Sequence, residues 1–162
     1  MYRHPESFRV GDVLIAGVVQ LSPSEVAGFL RSRLVDELVE DAQFGAASFG
    51  AQPRPGSVCP TPLVASQAVA ALRHSGNFGG LRVAVHGIGP VTVFASPLVG
   101  EPLTCVATVR FRGKTRTDAT PLTLSVELRR RHGGTVVRFE VGVELSIPAA
   151  PKTSRDALYA VA

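Results

Sequence analysis

A chain of 162 residues fits one folded domain, large enough to bury about two-thirds of the surface its unfolded form exposes. Apolar residues make up 45% and charged ones 19%, which excludes a disordered chain, and no apolar run approaches the ~18 residues of a membrane span. The formal charge of +4 points to an acidic partner, but with no Trp, two Tyr and no basic stretch interleaved with aromatics, the composition argues against nucleic acid.

Residues 1–10 carry Arg3, His4, Glu6 and Arg9 without a following apolar segment, so no secretory signal is expected and the location expected is cytoplasmic. Residues 8–21 (FRVGDVLIAGVVQL) are apolar and β-rich, and predict a strand. The tetrapeptide SPSE then predicts a helix start: Ser22 caps, Pro23 takes the first helical position, and Glu25 completes a capping box. Val26, Phe29, Leu30 and Leu34 recur at helical spacing as its core face. From Val35 to Pro60 an acidic run gives way to Gly, Ala and Pro without a sustained period, which reads as irregular structure with a short helix.

Thr61 and Pro62 repeat the cap-then-proline pattern, and LVASQAVAALRH predicts a buried helix ending at Ser75, Gly76 and Asn77. From Leu81 onward the chain reads as β. In Leu103–Arg112 the odd positions Leu103, Cys105, Ala107, Val109 and Phe111 are apolar, while Leu122, Leu124, Val126 and Leu128 form a second alternating strand. After His132, Gly133 and Gly134 the odd positions from Val137 to Ile147 form a third, giving a hairpin. The domain is expected to span residues 1–150, with 151–162 a loosely held tail. A buried helix followed by a long antiparallel run is an α+β order, and its exposed sheet edge calls for covering by a second chain.

The segment 86–113, HGIGPVTVFASPLVGEPLTCVATVRFRG, resembles the strand-turn-strand of MaoC-like hydratases and dehydratases, in which a proline and Gly-Asp-x-Leu separate two strands. Here those pieces are Pro97, Gly100, Glu101 and Leu103; FRVGD (residues 8–12) resembles the family's opening strand, and residues 60–72 fall at its central helix. The resemblance covers roughly residues 5–148. It implies a dimeric α+β hot-dog fold, a curved antiparallel sheet wrapped around a central helix. It also implies action on β-hydroxyacyl or enoyl thioesters of coenzyme A or acyl carrier protein, in fatty-acid or polyketide biosynthesis, with no cofactor and no metal.

The family's catalytic signature is similar to G-D-x-N-P-x-H, whose Asp and His flank one water. The matching region, residues 34–51, holds no histidine. Asp36 falls at the aspartate, and five residues on stands Asp41; an alignment anchored on Phe49 and Gly50 brings Leu38 or Val39 there instead. The acidic run including Glu37 and Glu40 is then either a displaced acid/base pair or a solvated face. His86 is either a substitute base beside the tunnel or a hydrogen-bonded sheet residue. Cys59 before the central helix is either a thiolate favoured by the helix dipole or a small packing residue.

The oxyanion-binding amide of the family falls near Thr61 and Pro62, and proline has no N–H to donate. The pattern VCPTPL resembles the substrate-holding, non-catalytic subunits of heterodimeric MaoC-like dehydratases, in which the partner supplies the dyad. On this reading Phe44, Phe49, Cys59, Thr61, Leu63 and Val64 line the pocket, with His86 nearby. Arg110, Arg112, Lys114 and Arg116, with Arg129 and Arg131 on a neighbouring strand, form either a soluble exterior or a dock for carrier protein or phosphopantetheine. The partners expected are an acyl-CoA or acyl carrier protein thioester and a catalytic MaoC-like subunit, or else a second copy; neither nucleic acid nor membrane is expected. The rival readings are a homodimeric polyketide dehydratase or cyclase using Asp36 or Asp41 with His86, a hot-dog thioesterase, and an acyl-binding module.

Overall fold

The computed structural model describes residues 3–37 and 53–148, except for the side chains of residues 33–37. Their elements run from a 3-10 turn (Pro5–Ser7) through β1 (Val13–Val19), α1 (Pro23–Glu37), α2 (Thr61–His74), β2 (Arg82–Ile88), β3 (Thr92–Val93), β4 (Leu103–Arg112) and β5 (Ala119–Arg129) to β6 (Thr135–Ser146). The strands form one antiparallel sheet in the order β1-β4-β5-β6-β2, with β3 also paired to β6. No helix among the described residues is long and apolar enough to cross a membrane.

Strict alternation builds this sheet. Leu103, Cys105, Ala107 and Val109 of β4, Leu122 to Leu128 of β5 at every second residue, and Val137 to Leu145 of β6 likewise are buried. Against that face lies α2, which buries Leu63, Val64, Ala65, Ala68, Val69 and Leu72. Small side chains on α2 let helix and sheet approach closely, and together these residues form one continuous core.

Helix α1 starts as its sequence dictates. The Ser22 N–H donates to Glu25 Oε2 at 2.8 Å and the Glu25 N–H donates to Ser22 Oγ at 3.2 Å, a reciprocal capping box. Val26 is buried and Phe29 packs on the core, whereas Leu30, expected inward, is 41% exposed.

Other departures have local causes. The first strand begins only at Val13, because residues 9–12 close a turn in which Gly11 has φ +94° and the Arg9 N–H donates to the Asp12 carboxylate. A bulge between Ile15 and Gly17 (φ +101°) shifts the alternation, so that Leu14 and Val19 point inward while Ile15 and Val18 point out. A second bulge between Val109 and Phe111 turns Phe111 outward, against the expectation from its odd position. Ile147, also expected inward, lies past the end of β6 and is exposed. Helix α2 is capped by Pro60, with no side-chain cap, and not by Thr61, which is already helical.

Candidate functional site

The start of α2 is held by a short ladder. Val58 bridges Leu98 antiparallel, the Cys59 N–H donates to the Pro97 carbonyl at 2.8 Å, and the Val99 N–H donates to the Ser57 carbonyl at 2.7 Å. Pro60 (φ −60°, ψ 122°) then turns the chain into the helix, its carbonyl accepting from the Leu63 and Val64 N–H groups at 3.1 Å. Pro62 has no donor to leave unsatisfied. The Thr61 N–H makes no hydrogen bond among the described residues. No acidic residue sits in the first turn, while Arg73 and His74 sit in the last, so no side chain of the first turn offsets the positive end of the helix dipole. An N–H without a partner among the described residues thus stands at Thr61, next to the position where Pro62 has none to offer.

Cys59 lies beside this amide, buried with Val19, Leu21, Val64, Pro97, Leu98, Glu101 and Leu103 around a space of about 10 Å³, about one water's worth. Burial, and then the charge of Glu101, push its thiol above the ordinary range. A raised thiol is a packing group and a poor nucleophile. Glu101 receives the Arg130 guanidinium and the Leu98 N–H, and the Arg130 hydrogen bond above all holds its carboxyl below the ordinary range. Glu101 is therefore an ionised brace tying the 97–101 turn to the end of β5.

Among the residues singled out from sequence, the structure brings Cys59, Thr61, Leu63 and Val64 together at the helix start. Cys59, Leu63 and Val64 are buried and Thr61 half-buried. His86 stands apart. It sits in a bulge of β2 level with Val143 and Gly142, the row that continues through Leu122 to Arg112, and its Nε2 lies 3.7 Å from Glu144 on the sheet face away from α2. Cys59 packs on Leu103 at the other end of β4, about 25–30 Å along the strand. The expectation of His86 near the helix start is corrected by that register. Asp36 falls in the last turn of α1, where only the backbone is described; Asp41, Phe44 and Phe49 lie outside the described residues.

The six basic residues do not form one patch. Antiparallel pairing sets Arg112 opposite Leu122 and Arg129 opposite Thr104, so Arg110, Arg112, Lys114 and Arg116 occupy one end of the β4–β5 hairpin and Arg129 and Arg131 the other. Arg112 donates to the Glu6 carbonyl, and Arg129 pairs with Glu127, which Arg138 also holds. Arg131 is exposed and has no ion pair among the described residues.

Two features escaped the sequence. One is the Glu101–Arg130 brace, for which no short-range pattern exists. The other is a cleft of about 240 Å³ between the end of β1 and α2, lined by Gln20, Gln67, Ala70, Ala71 and His74 among others. Its signal was the spacing of 67, 70, 71 and 74, one helical face of small and polar residues.

The sequence matches no family model and no curated protein. Solved structures do match in shape. A MaoC-like dehydratase from Rhodospirillum rubrum aligns with a TM-score of 0.62 at 18% identity, covering 90% of this chain and 97% of its own. The fold is the hot-dog fold. The hot-dog domain also aligns with the HadBC (3R-hydroxyacyl-ACP dehydratase) complex of Mycobacterium tuberculosis, at a TM-score of 0.59 and 13% identity over 83% of this chain and 96% of that one. A mutant of the fluoroacetyl-CoA-specific thioesterase FlK gives 0.55 and 15% over 85% and 87%. At these identities the likeness is one of fold, and the turn at Pro97, Gly100 and Leu103 with α2 at residues 61–74 matches the architecture that the MaoC-like resemblance implied.

Proposed function

We propose that this hot-dog domain is the substrate-holding subunit of a MaoC-like dehydratase. It binds a β-hydroxyacyl or enoyl thioester of coenzyme A or acyl carrier protein and works with a homologue that supplies the Asp/His dyad. The observation that carries this reading is a pairing of presence with absence. The start of α2 offers a first turn without acidic residues and a Thr61 N–H with no partner among the described residues, while no histidine lies between His4 and His74. The thioester carbonyl would accept from Thr61; the water and its proton would be handled by the partner. Fatty-acid or polyketide biosynthesis is the setting this chemistry suits.

Two further features support it. The β2 edge is exposed along most of its length, with Val85 and Ile88 among its exposed residues, and suits a partner's strand. Arg131 lies at the end of the sheet that carries Cys59 and Thr61, where a phosphate of the carrier arm would arrive. The thioesterase reading is the second. The FlK-like fold favours it, and its catalytic carboxylate would have to come from outside the Glu101–Arg130 brace.

Assay of the isolated chain on crotonyl-CoA and longer enoyl thioesters separates the two. The proposal predicts neither hydration nor thiol release. Hydration by the isolated chain, lost in Asp36→Asn, Asp41→Asn or His86→Ala, contradicts it; thiol release without hydration establishes the thioesterase.

A further inference from the structure

The face of the sheet turned away from α2 carries apolar side chains that the proposed function does not use. Val13 and Ile15 of β1 point to it, 60% and 65% exposed, and the bulge between Val109 and Phe111 adds Phe111 at 58%. Val10, 64% exposed, stands beside that bulge, since the Gly11 N–H donates to the Val109 carbonyl. A solvated antiparallel face normally alternates to polar residues, and large apolar side chains gathered on one face mark a surface that something covers. Charge divides this face. Arg110, the extra residue of the β4 bulge, is exposed between Thr108 and Phe111 and has no ion pair among the described residues. On β6 the same face presents Glu140, also without an ion pair among them, and Glu144, whose one ion-pair neighbour there is His86 at 3.7 Å. A matching cover needs cations over β6, an anion at the β4 bulge and apolar side chains towards β1.

The chain beyond Pro148 has that order. Residues 149–162, outside the described residues, have the sequence AAPKTSRDALYAVA, with Lys152 and Arg155 first, then Asp156, then Leu158, Tyr159 and Val161. They follow the end of β6, where Ser146 pairs with Ala119 of β5, and Pro148 and Pro151 oppose continuation of the ladder. Phe111 is level with Thr123 and Gly142, about 17 Å back along β6 from Ile147 and about 10 Å across two strands. Ile15, level with Val106, Glu127 and Arg138, is about 30 Å back and about 14 Å across. An extended chain leaving Pro148 spans up to about 27 Å by Asp156 and about 43 Å by Val161, so both ends of the strip are within reach.

We infer that this segment, a loose tail by sequence alone, folds back over the face within its own chain. Lys152 and Arg155 lie towards Glu144 and Glu140, Asp156 meets Arg110, and Leu158, Tyr159 and Val161 cover Phe111, Val13 and Ile15. Tethering raises the effective concentration of the segment to about millimolar, so a contact too weak to hold a separate peptide suffices. The cover is independent of the thioester site, which lies on the α2 side of the sheet.

Thiol labelling tests this. Cys59 and Cys105 are buried and Ile15 is exposed, so Ile15→Cys supplies a reporter thiol without disturbing the core. Its rate of reaction with a fluorescein maleimide is measured across a dilution series, with circular dichroism confirming the fold of each variant. Truncation after Pro148 is expected to raise that rate about tenfold, the factor for a face left uncovered a tenth of the time. Asp156→Arg is expected to raise it in part, and adding Arg110→Asp to restore the slow rate, which a mere loss of packing would not do. With Val161→Cys in the same chain, oxidation should give a linked product of single-chain mass. Equal rates in the full and truncated chains, a slow rate that gives way on dilution, or a linked product of doubled mass overturns the inference.

Discussion

Arg131 and Arg116 are both exposed cations, yet only Arg131 shares the end of the sheet with Thr61. Arg131→Glu is therefore expected to raise the KM or Kd for a coenzyme A thioester about tenfold, close to 1.4 kcal/mol, with an effect that shrinks in salt. Arg116→Glu should leave it unchanged; equal effects in titration calorimetry would place the dock elsewhere. The thiols give a pH prediction. Burial pushes Cys105 from the ordinary 9.0 to about 11, so its proton is held by the folded state while the unfolded chain releases it. That contribution to stability is complete below pH 9 and is lost as pH rises towards 11, about 3 kcal/mol in all. Urea unfolding over this range should show a steeper loss of stability in the wild type than in Cys105→Ala, which keeps the slope due to the raised Cys59 thiol. At this scale the sequence disclosed what was absent, the histidine, better than what was present. The open Thr61 N–H, the raised Cys59 thiol and the Glu101–Arg130 brace all depend on how the chain is folded around them.

Elements were more legible, because alternation and capping are local. The Ser22–Glu25 box could be read directly, and Ser22→Ala should cost about 1 kcal/mol in a urea melt. The β4–β5 turn could not. Its central residues Thr117 and Asp118 have φ of +48° and +63°, and Arg116 and Ala119 exchange two hydrogen bonds of 2.9 Å, the geometry of a two-residue hairpin that Asn-Gly normally marks. A β-branched Thr is poorly suited to that backbone. Asp118→Gly and Thr117→Asn should each stabilise the domain by about 0.5–1 kcal/mol, and a fall in the urea midpoint would show that the turn is shaped by contacts beyond its own backbone. Bulges were equally illegible: Phe111 reads as core by parity, and one extra residue in β4 reverses it.

For the whole molecule, fold class followed from element order and from the Pro97, Gly100 and Leu103 turn. Which basic residues share a surface did not, because antiparallel pairing sends the two ends of a hairpin's strands to opposite poles. The central claim is that the domain holds a thioester without completing its chemistry. Its most direct test compares the isolated chain with the complex captured on it from its native source, both assayed for hydration of crotonyl-CoA. The account predicts an inactive chain and an active complex whose second subunit carries the Asp/His pair. Hydration by the isolated chain at the rate of the complex would contradict it.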